Sequence, residues 1–238
     1  MKQLSVFSKK QLLLAILLVS ISAVAHAEIY TSTAVSGTAV DGSWDNGNPV
    51  SKSVVEGMDT YTFQDNNTYI KSASVNTLIN NSTAAVKVVA DGNIGINFQG
   101  FGILGSSVFI GDNISFKDNI NNAAITTTVG SLTVGNNVTI SNISKSDTWD
   151  SRANAYGAII IGDSSAMLNG TSVFGANFKA SNNSVTNSSD PTRNTSATGG
   201  AAIAIDYGKM DLIFGDNAVF TNNSVQGKWY TFGGAIFT

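Results

Sequence analysis

Residues able to do chemistry are few in this sequence. The one histidine, His26, falls in the first 27 residues, a stretch with the form of a removable leader, and there is no cysteine. A chain without that leader has neither imidazole nor thiol, which removes Ser-His-Asp and Cys-His nucleophilic sites and the usual zinc ligands together. Carboxylates remain. Aligning Ala158-Ile159 with Ala202-Ile203 puts Asp163 and Asp206 at corresponding points. If those points are two repeat units apart, the rise between them is about 9.6 Å, at the wide end of the ~6.5–9.5 Å used by inverting glycosidases. The structural reading of the same residues is stronger, because Gly162-Asp163-Ser164 and Asp206-Tyr207-Gly208 have the composition of turns. Asp112, Asp118 and Asp216 sit in corner phrases whose backbone role accounts for them. Calcium binding by nonapeptide repeats needs a regular Gly-Gly-x-Gly-x-Asp array, and the sequence has none. Trp229, Tyr230 and Phe232 offer apolar surface for a ligand, but packing against a neighbouring repeat is the favoured reading. No catalytic, cofactor-binding or metal-ligating residue is therefore assigned, and a non-enzyme is expected.

Residues 1–27 combine Lys2, Lys9 and Lys10 with an apolar run from Leu12 and a small-residue ending, Ala25-His26-Ala27. This is the form of a secretory signal peptide, with cleavage expected before Glu28. The apolar stretch Leu12 to Ala25 has 14 residues, short of the roughly 20 that cross a bilayer as a helix. The remaining 211 residues carry 16 acidic and 10 basic side chains, a net charge of −6. Such a chain presents no basic face to phosphates, so nucleic acid is not an expected partner. With 12% charged residues, solubility must come from Asn, Ser, Thr and Gly.

The elements that would position these side chains are strands. After the leader no long window repeats apolar residues with helical spacing, whereas runs such as Ala85-Val86-Lys87-Val88-Val89 and Ser107-Val108-Phe109-Ile110 are short and bounded by Gly or Asn. One corner phrase, apolar-Gly-x-Asn, recurs at Ile110-Gly111-Asp112-Asn113, Val134-Gly135-Asn136-Asn137, Phe174-Gly175-Ala176-Asn177 and Phe214-Gly215-Asp216-Asn217. Its glycines are 24, 40 and 40 residues apart, and the longer step reads as two units of about 20. Gly and Asn are the residues that most readily take the left-handed backbone of a sharp corner. Units of this kind predict an all-β chain, a right-handed parallel β-helix (β-solenoid) following the signal peptide. About ten coils would form a rod on the order of 50 Å long, with asparagine amides stacked into ladders at the corners. Residues 28–60 are expected to cap its start and residues 61–238 to carry the repeats.

Two further phrases recur. Gly-Gly-Ala-Ile is complete at Gly233-Gly234-Ala235-Ile236, reads as lengthened at Gly199-Gly200-Ala201-Ala202-Ile203, and is degenerate at Tyr156-Gly157-Ala158-Ile159. Phe-x-x-Asn occurs at Phe63/Asn66, Phe116/Asn119, Phe174/Asn177, Phe214/Asn217 and Phe220/Asn223, where composition alone would produce about one such pair. On these two phrases, over roughly residues 100–238, the sequence resembles the polymorphic outer-membrane protein repeats and related autotransporter adhesin passengers. The resemblance implies a β-helix displayed at the cell surface by a C-terminal outer-membrane barrel, acting as an adhesin or structural element toward host-cell or bacterial surface ligands, without a cofactor. The chain stops at Thr238, just after its clearest repeat phrase, so a truncated passenger, exported to the periplasm or secreted, is expected. A secreted carbohydrate-active β-helix enzyme is the alternative.

Overall fold

The computed structural model describes residues 27–35, 38–40, 44–120, 122–147, 155–162, 168–187, 197–206, 208–227 and 230–237. Among them there is no helix, and the strands form five sheets. The chain visits three of these sheets in rotation. Met58–Phe63, Val86–Ala90, Val108–Ile110, Leu132–Val134, Leu168–Phe174 and Gly208–Phe214 stack in the first. Thr68–Ile70, Ile96–Gln99, Ile114–Lys117, Thr139–Ser141, Lys179–Ser181 and Val219–Thr221 stack in the second. The third holds Thr77–Asn81, Gly102–Gly105, Ile125–Thr127, Ile159–Ile161, Ile203–Ile205 and Ile236–Phe237. Neighbouring strands are parallel throughout these three series, as they must be when each circuit of the chain lies on the one before it.

The register corrects the expected period. Asp59 pairs with Val86, Val86 with Val108 and Val108 with Leu132, then Thr133 with Val173 and Val173 with Ile213, giving steps of 27, 22, 24, 40 and 40 residues. The 40-residue step is one circuit, not two. The described residues form six circuits where about ten were expected, and at about 4.8 Å each they rise about 30 Å. The additional residues of the long circuits go into two three-stranded parallel sheets of their own. One contains Ser144–Asp147, Ser184–Asn187 and Ser224–Gly227, the other Ala155–Tyr156, Ala197–Gly199 and Tyr230–Phe232. Both lie between the second and third sheets in chain order and form a fin on the side of the last three circuits.

Period-two alternation explains why these segments are strands. In Val86–Ala90, Val86 and Val88 are buried while Lys87 faces outward. Stacking then turns each inward position into a column. On the third sheet the column is isoleucine at every level: Ile79, Ile103, Ile125, Ile159, Ile203 and Ile236 pair in succession. On the second it begins with four aromatic rings, Tyr30, Tyr69, Phe98 and Phe116, whose centroids are 5.4, 5.6 and 5.2 Å apart. Further along, the same column holds Ile140, Ala180 and Phe220. Ala180 leaves room that Phe178 fills from the adjacent corner, 4.9 Å from Phe174 and 5.8 Å from Phe220.

At the first circuit the pattern changes. Ile29–Thr31 adds to the edge of the second sheet, and Trp44, buried, sets its edge against Tyr69 and Phe101. Val50–Val55 runs antiparallel to Met58–Phe63 through a two-residue turn at Glu56 and Gly57, both with positive φ (53° and 79°), as a primed hairpin turn requires. Residue 60 lies within the strand Met58–Phe63, the first in this sheet to carry a parallel neighbour.

Candidate functional site

The corners carry most of the polar side chains that are held in place. At the turn from the first sheet to the second, Asn113, Asn137, Asn177 and Asn217 all have φ between 56° and 60°. Asn137, Asn177 and Asn217 each donate the amide Nδ2–H to the Oδ1 of the one before, at 2.8, 2.9 and 3.1 Å. The left-handed backbone aims each side chain along the stack, so the ladder of amides follows from the turn itself. A second column stands where the chain leaves the second sheet: Asp118, Asn142, Asn182 and Asn222, with φ of 53–57°. Asn142 donates to Asp118 at 3.1 Å and Asn222 to Asn182 at 3.2 Å.

The glycines of the corner phrase have a different reason. Gly111, Gly135, Gly175 and Gly215 do not have positive φ. A Cβ on Gly175 would come within 2.6 Å of the Gly135 backbone, and one on Gly215 within 2.8 Å of Ala176 N. They form a column in which successive backbones touch, so space and not handedness excludes a side chain. The asparagines alone supply the left-handed turn.

Phe-x-x-Asn proves to be two structures. Asn66, Asn177 and Asn217 lie at the first corner with positive φ. Asn119 and Asn223 belong to the second corner, at a position that points inward, and Asn183 shares that position without the phenylalanine. Asn183 is fully buried. Its Oδ1 accepts Ile143 N–H at 3.0 Å, and its Nδ2 donates to Asn223 Oδ1 at 2.9 Å and to Ile140 O at 3.3 Å. Asn119 donates to Ala123 O at 3.3 Å, but its buried Oδ1 has no partner among the described residues.

The Gly-Gly-Ala-Ile phrase marks the entry to the third sheet from the fin. Gly200 N–H donates to Gly233 O, Ala201 to Gly234 and Ala202 to Ala235. Gly200-Ala201-Ala202-Ile203 is thus in register with Gly233-Gly234-Ala235-Ile236 and is not lengthened; the copy ending at Ile159 is one residue shorter. Gly200 and Gly233 have φ of 56° and 46°. Small residues are needed because the chain turns back sharply here: Ala158, Ala201 and Ala202 have no exposed surface. Ala201 packs with Val185 and Val225 in a small core of the fin.

Asp112, Asp118 and Asp216 have roles that the backbone explains. Asp112 Oδ1 accepts Asn136 N–H at 2.7 Å, Asp118 ends the second ladder, and the carbonyl of Asp216 accepts Asn177 N–H at 2.8 Å. Asp163 lies outside the described residues. Ile161 pairs with Ile205, so the strand that precedes Asp163 in sequence and the strand that precedes Asp206 lie on neighbouring circuits, not two circuits apart. Asp206 is half-buried, with one carboxylate oxygen enclosed and unpartnered among the described residues. Of the three candidate aromatics, Trp229 lies outside the described residues, while the backbone of Tyr230 and Phe232 pairs with Ala197–Gly199. A shallow groove beside the fin is lined by Ile70, Lys71, Gln99, Gly100, Asp118 and Ile120. Comparison with protein families, with curated proteins and with solved structures finds no match.

Sequence reasoning missed the fin and the inward asparagines. The signal for the fin was present: each long step of 40 exceeds the short step of 24 by a segment that always follows the second corner. Asn183 left no signal, since its role depends on facing into the stack.

Proposed function

We propose that this chain is the exported passenger part of a surface-displayed protein of the autotransporter type, wound as a right-handed β-solenoid and acting as a non-catalytic adhesive or structural element. The observation that carries this reading is the register of the recurring phrases. The Gly-Ala-Ile segments, one of the two phrases on which the sequence resembles the polymorphic outer-membrane repeats, and the Gly-x-Asn corners occupy equivalent places on successive circuits. The leader-like first 27 residues support export, with Glu28 as the first residue of the mature chain.

On this reading the sheets are a rigid support and the outer faces and fin are the binding surface. The ligand class is a host-cell or bacterial surface molecule, reached without a cofactor or nucleic acid. The test applies the labelled, exported full chain to host epithelial cells and to bacteria, and incubates it in parallel with a panel of polysaccharides. Saturable binding, competed by unlabelled protein, with no release of reducing ends is expected. Polysaccharide cleavage, or no saturable binding to any surface, would overturn the reading.

A further inference from the structure

Among the described residues, the first tied to the fold by hydrogen bonds is Glu28. Its backbone N–H donates to Asn67 Oδ1 at 2.8 Å, and its carbonyl accepts Thr68 N–H at 2.9 Å. Ile29–Thr31 then pairs in parallel with Thr68–Ile70. Asn67 is only 6% exposed, so the oxygen that receives Glu28 is held in one place. Tyr30, 5% exposed, lies on Tyr69, and its hydroxyl is 2.7 Å from Glu28 Oε2 and 2.9 Å from Gln64 Oε1. Asp45 Oδ1 accepts Thr31 N–H at 2.8 Å. Ala27 and Glu28 are themselves exposed and accessible to a peptidase.

Two independent observations therefore meet at one peptide bond: the leader pattern ends at Ala27, and Glu28 is held to Asn67 and Thr68 by both of its backbone polar groups. Before cleavage, the group on Asn67 is a neutral peptide N–H. Hydrolysis adds water across the Ala27–Glu28 bond, leaving a carboxylate on Ala27 and an amino group on Glu28. That amino group is mostly protonated at neutral pH, given an ordinary value of about 7.7–8.0. A hydrogen bond from a charged donor is roughly twice as strong as one from a neutral donor. Glu28 Oε2, on the Tyr30 hydroxyl, and Asp45 Oδ1, on Thr31 N–H, place negative charge on the two residues that follow, of the sign that favours it.

We infer that Asn67 is the seat of the mature N-terminus: the α-ammonium created by cleavage before Glu28 docks on Asn67 Oδ1 and locks the edge strand Ile29–Thr31 over the end of the aromatic stack. Removal of the leader thus completes the fold at this end, where an unlocked edge strand would be free to fray or to pair with another chain. The inference rests on the export reading given above.

The test uses the full chain exported from a bacterial host, alone and with a Gly-Ser pair inserted between Ala27 and Glu28. In the insertion the peptidase still cuts after Ala27, but the group on Asn67 stays a neutral amide. Intact mass is expected to show loss of residues 1–27. The Thr68 amide, which donates to Glu28 O, is expected to exchange at least tenfold more slowly in the parent than in the insertion. In the Asn67→Ala background that difference should vanish. A start at Glu28 with equal Thr68 exchange in parent and insertion would overturn the lock while leaving export intact. A mature chain that starts elsewhere, or an intact leader, would overturn both, and the mass distinguishes the two failures.

Discussion

Asn183 and Asn119 occupy the same inward position of the second corner with opposite degrees of satisfaction. Removing a partner from a buried network leaves the desolvation penalty of the groups left behind, about 1–3 kcal/mol. Asn183→Ala strands Ile143 N–H and removes one of the two hydrogen bonds on Asn223 Oδ1, which keeps the Asn183 backbone N–H, and we expect it to lower stability by about 2 kcal/mol. Asn119 already holds one buried oxygen without a partner, and the neighbouring circuit fills the position with Ile143, which is buried. Asn119→Leu is therefore expected to change stability by less than about 1 kcal/mol. Urea unfolding of the two variants measures the contrast; equal losses would show that the inward position is governed by packing alone. The same scale holds the pH response of the first circuit. Tyr30 is pushed up to about 12, first by its hydrogen bond to the Glu28 carboxylate and then by burial, and burial raises Tyr69 as well. A phenol whose folded value lies above its ordinary value of about 10 contributes stability that is complete below pH 10. That stability is lost as pH rises toward 12. Ultraviolet titration should show these tyrosines ionising only together with loss of structure, whereas ionisation at pH 10 in the intact fold would contradict the contacts.

At the level of the corner element, glycine and asparagine do separate work, and substitutions distinguish them. Gly175→Ala places a Cβ within 2.6 Å of the Gly135 backbone, which cannot move without parting two circuits. Overpacking of this kind costs typically about 1–3 kcal/mol, occasionally more. Asn177→Gly keeps the left-handed turn and loses only the ladder bonds to Asn137 and Asn217. Asn177→Ala loses the same bonds and keeps a Cβ in left-handed backbone at φ 60° without the polar side chain that makes asparagine tolerant of it, a cost of about 1 kcal/mol relative to glycine there. The expected order of stability is Asn177→Gly above Asn177→Ala, with Gly175→Ala at or below the latter, read from thermal or urea midpoints. If Gly175→Ala proved the mildest, the touching-backbone account of the glycine column would fail. The corner phrase was legible in the sequence as a unit because both residue types are diagnostic of turns. Their division of labour was not, since a glycine needed for space and a glycine needed for handedness are the same letter.

Over the whole molecule the same logic sets what solution measurements should find. Far-UV circular dichroism of the exported chain is expected to show β-structure with little helix, and a helical content above about a fifth would sink the stacked-strand architecture. Strand identity, the Gly/Asn corners, the asparagine ladders and the alternation of buried and outward residues were all determined locally. They depend on φ preference and on a two-residue period, which any short window of sequence contains. The number of circuits was not determined that way. A 40-residue interval is compatible with two short circuits or one long one, and only the pairing of Val173 with Ile213 decides for the long circuit. The fin follows from the same fact, because residues in excess of what three sheets need must leave the stack and pair among themselves. Likewise, Asp163 and Asp206 were brought to corresponding points by sequence alignment, but whether one circuit or two separates them depends on how many strands each circuit contains. Composition and spacing thus determined what each segment is. Which segment lies beside which was decided by hydrogen bonding between residues 18 to 44 positions apart, a relation that the linear order of residues does not contain.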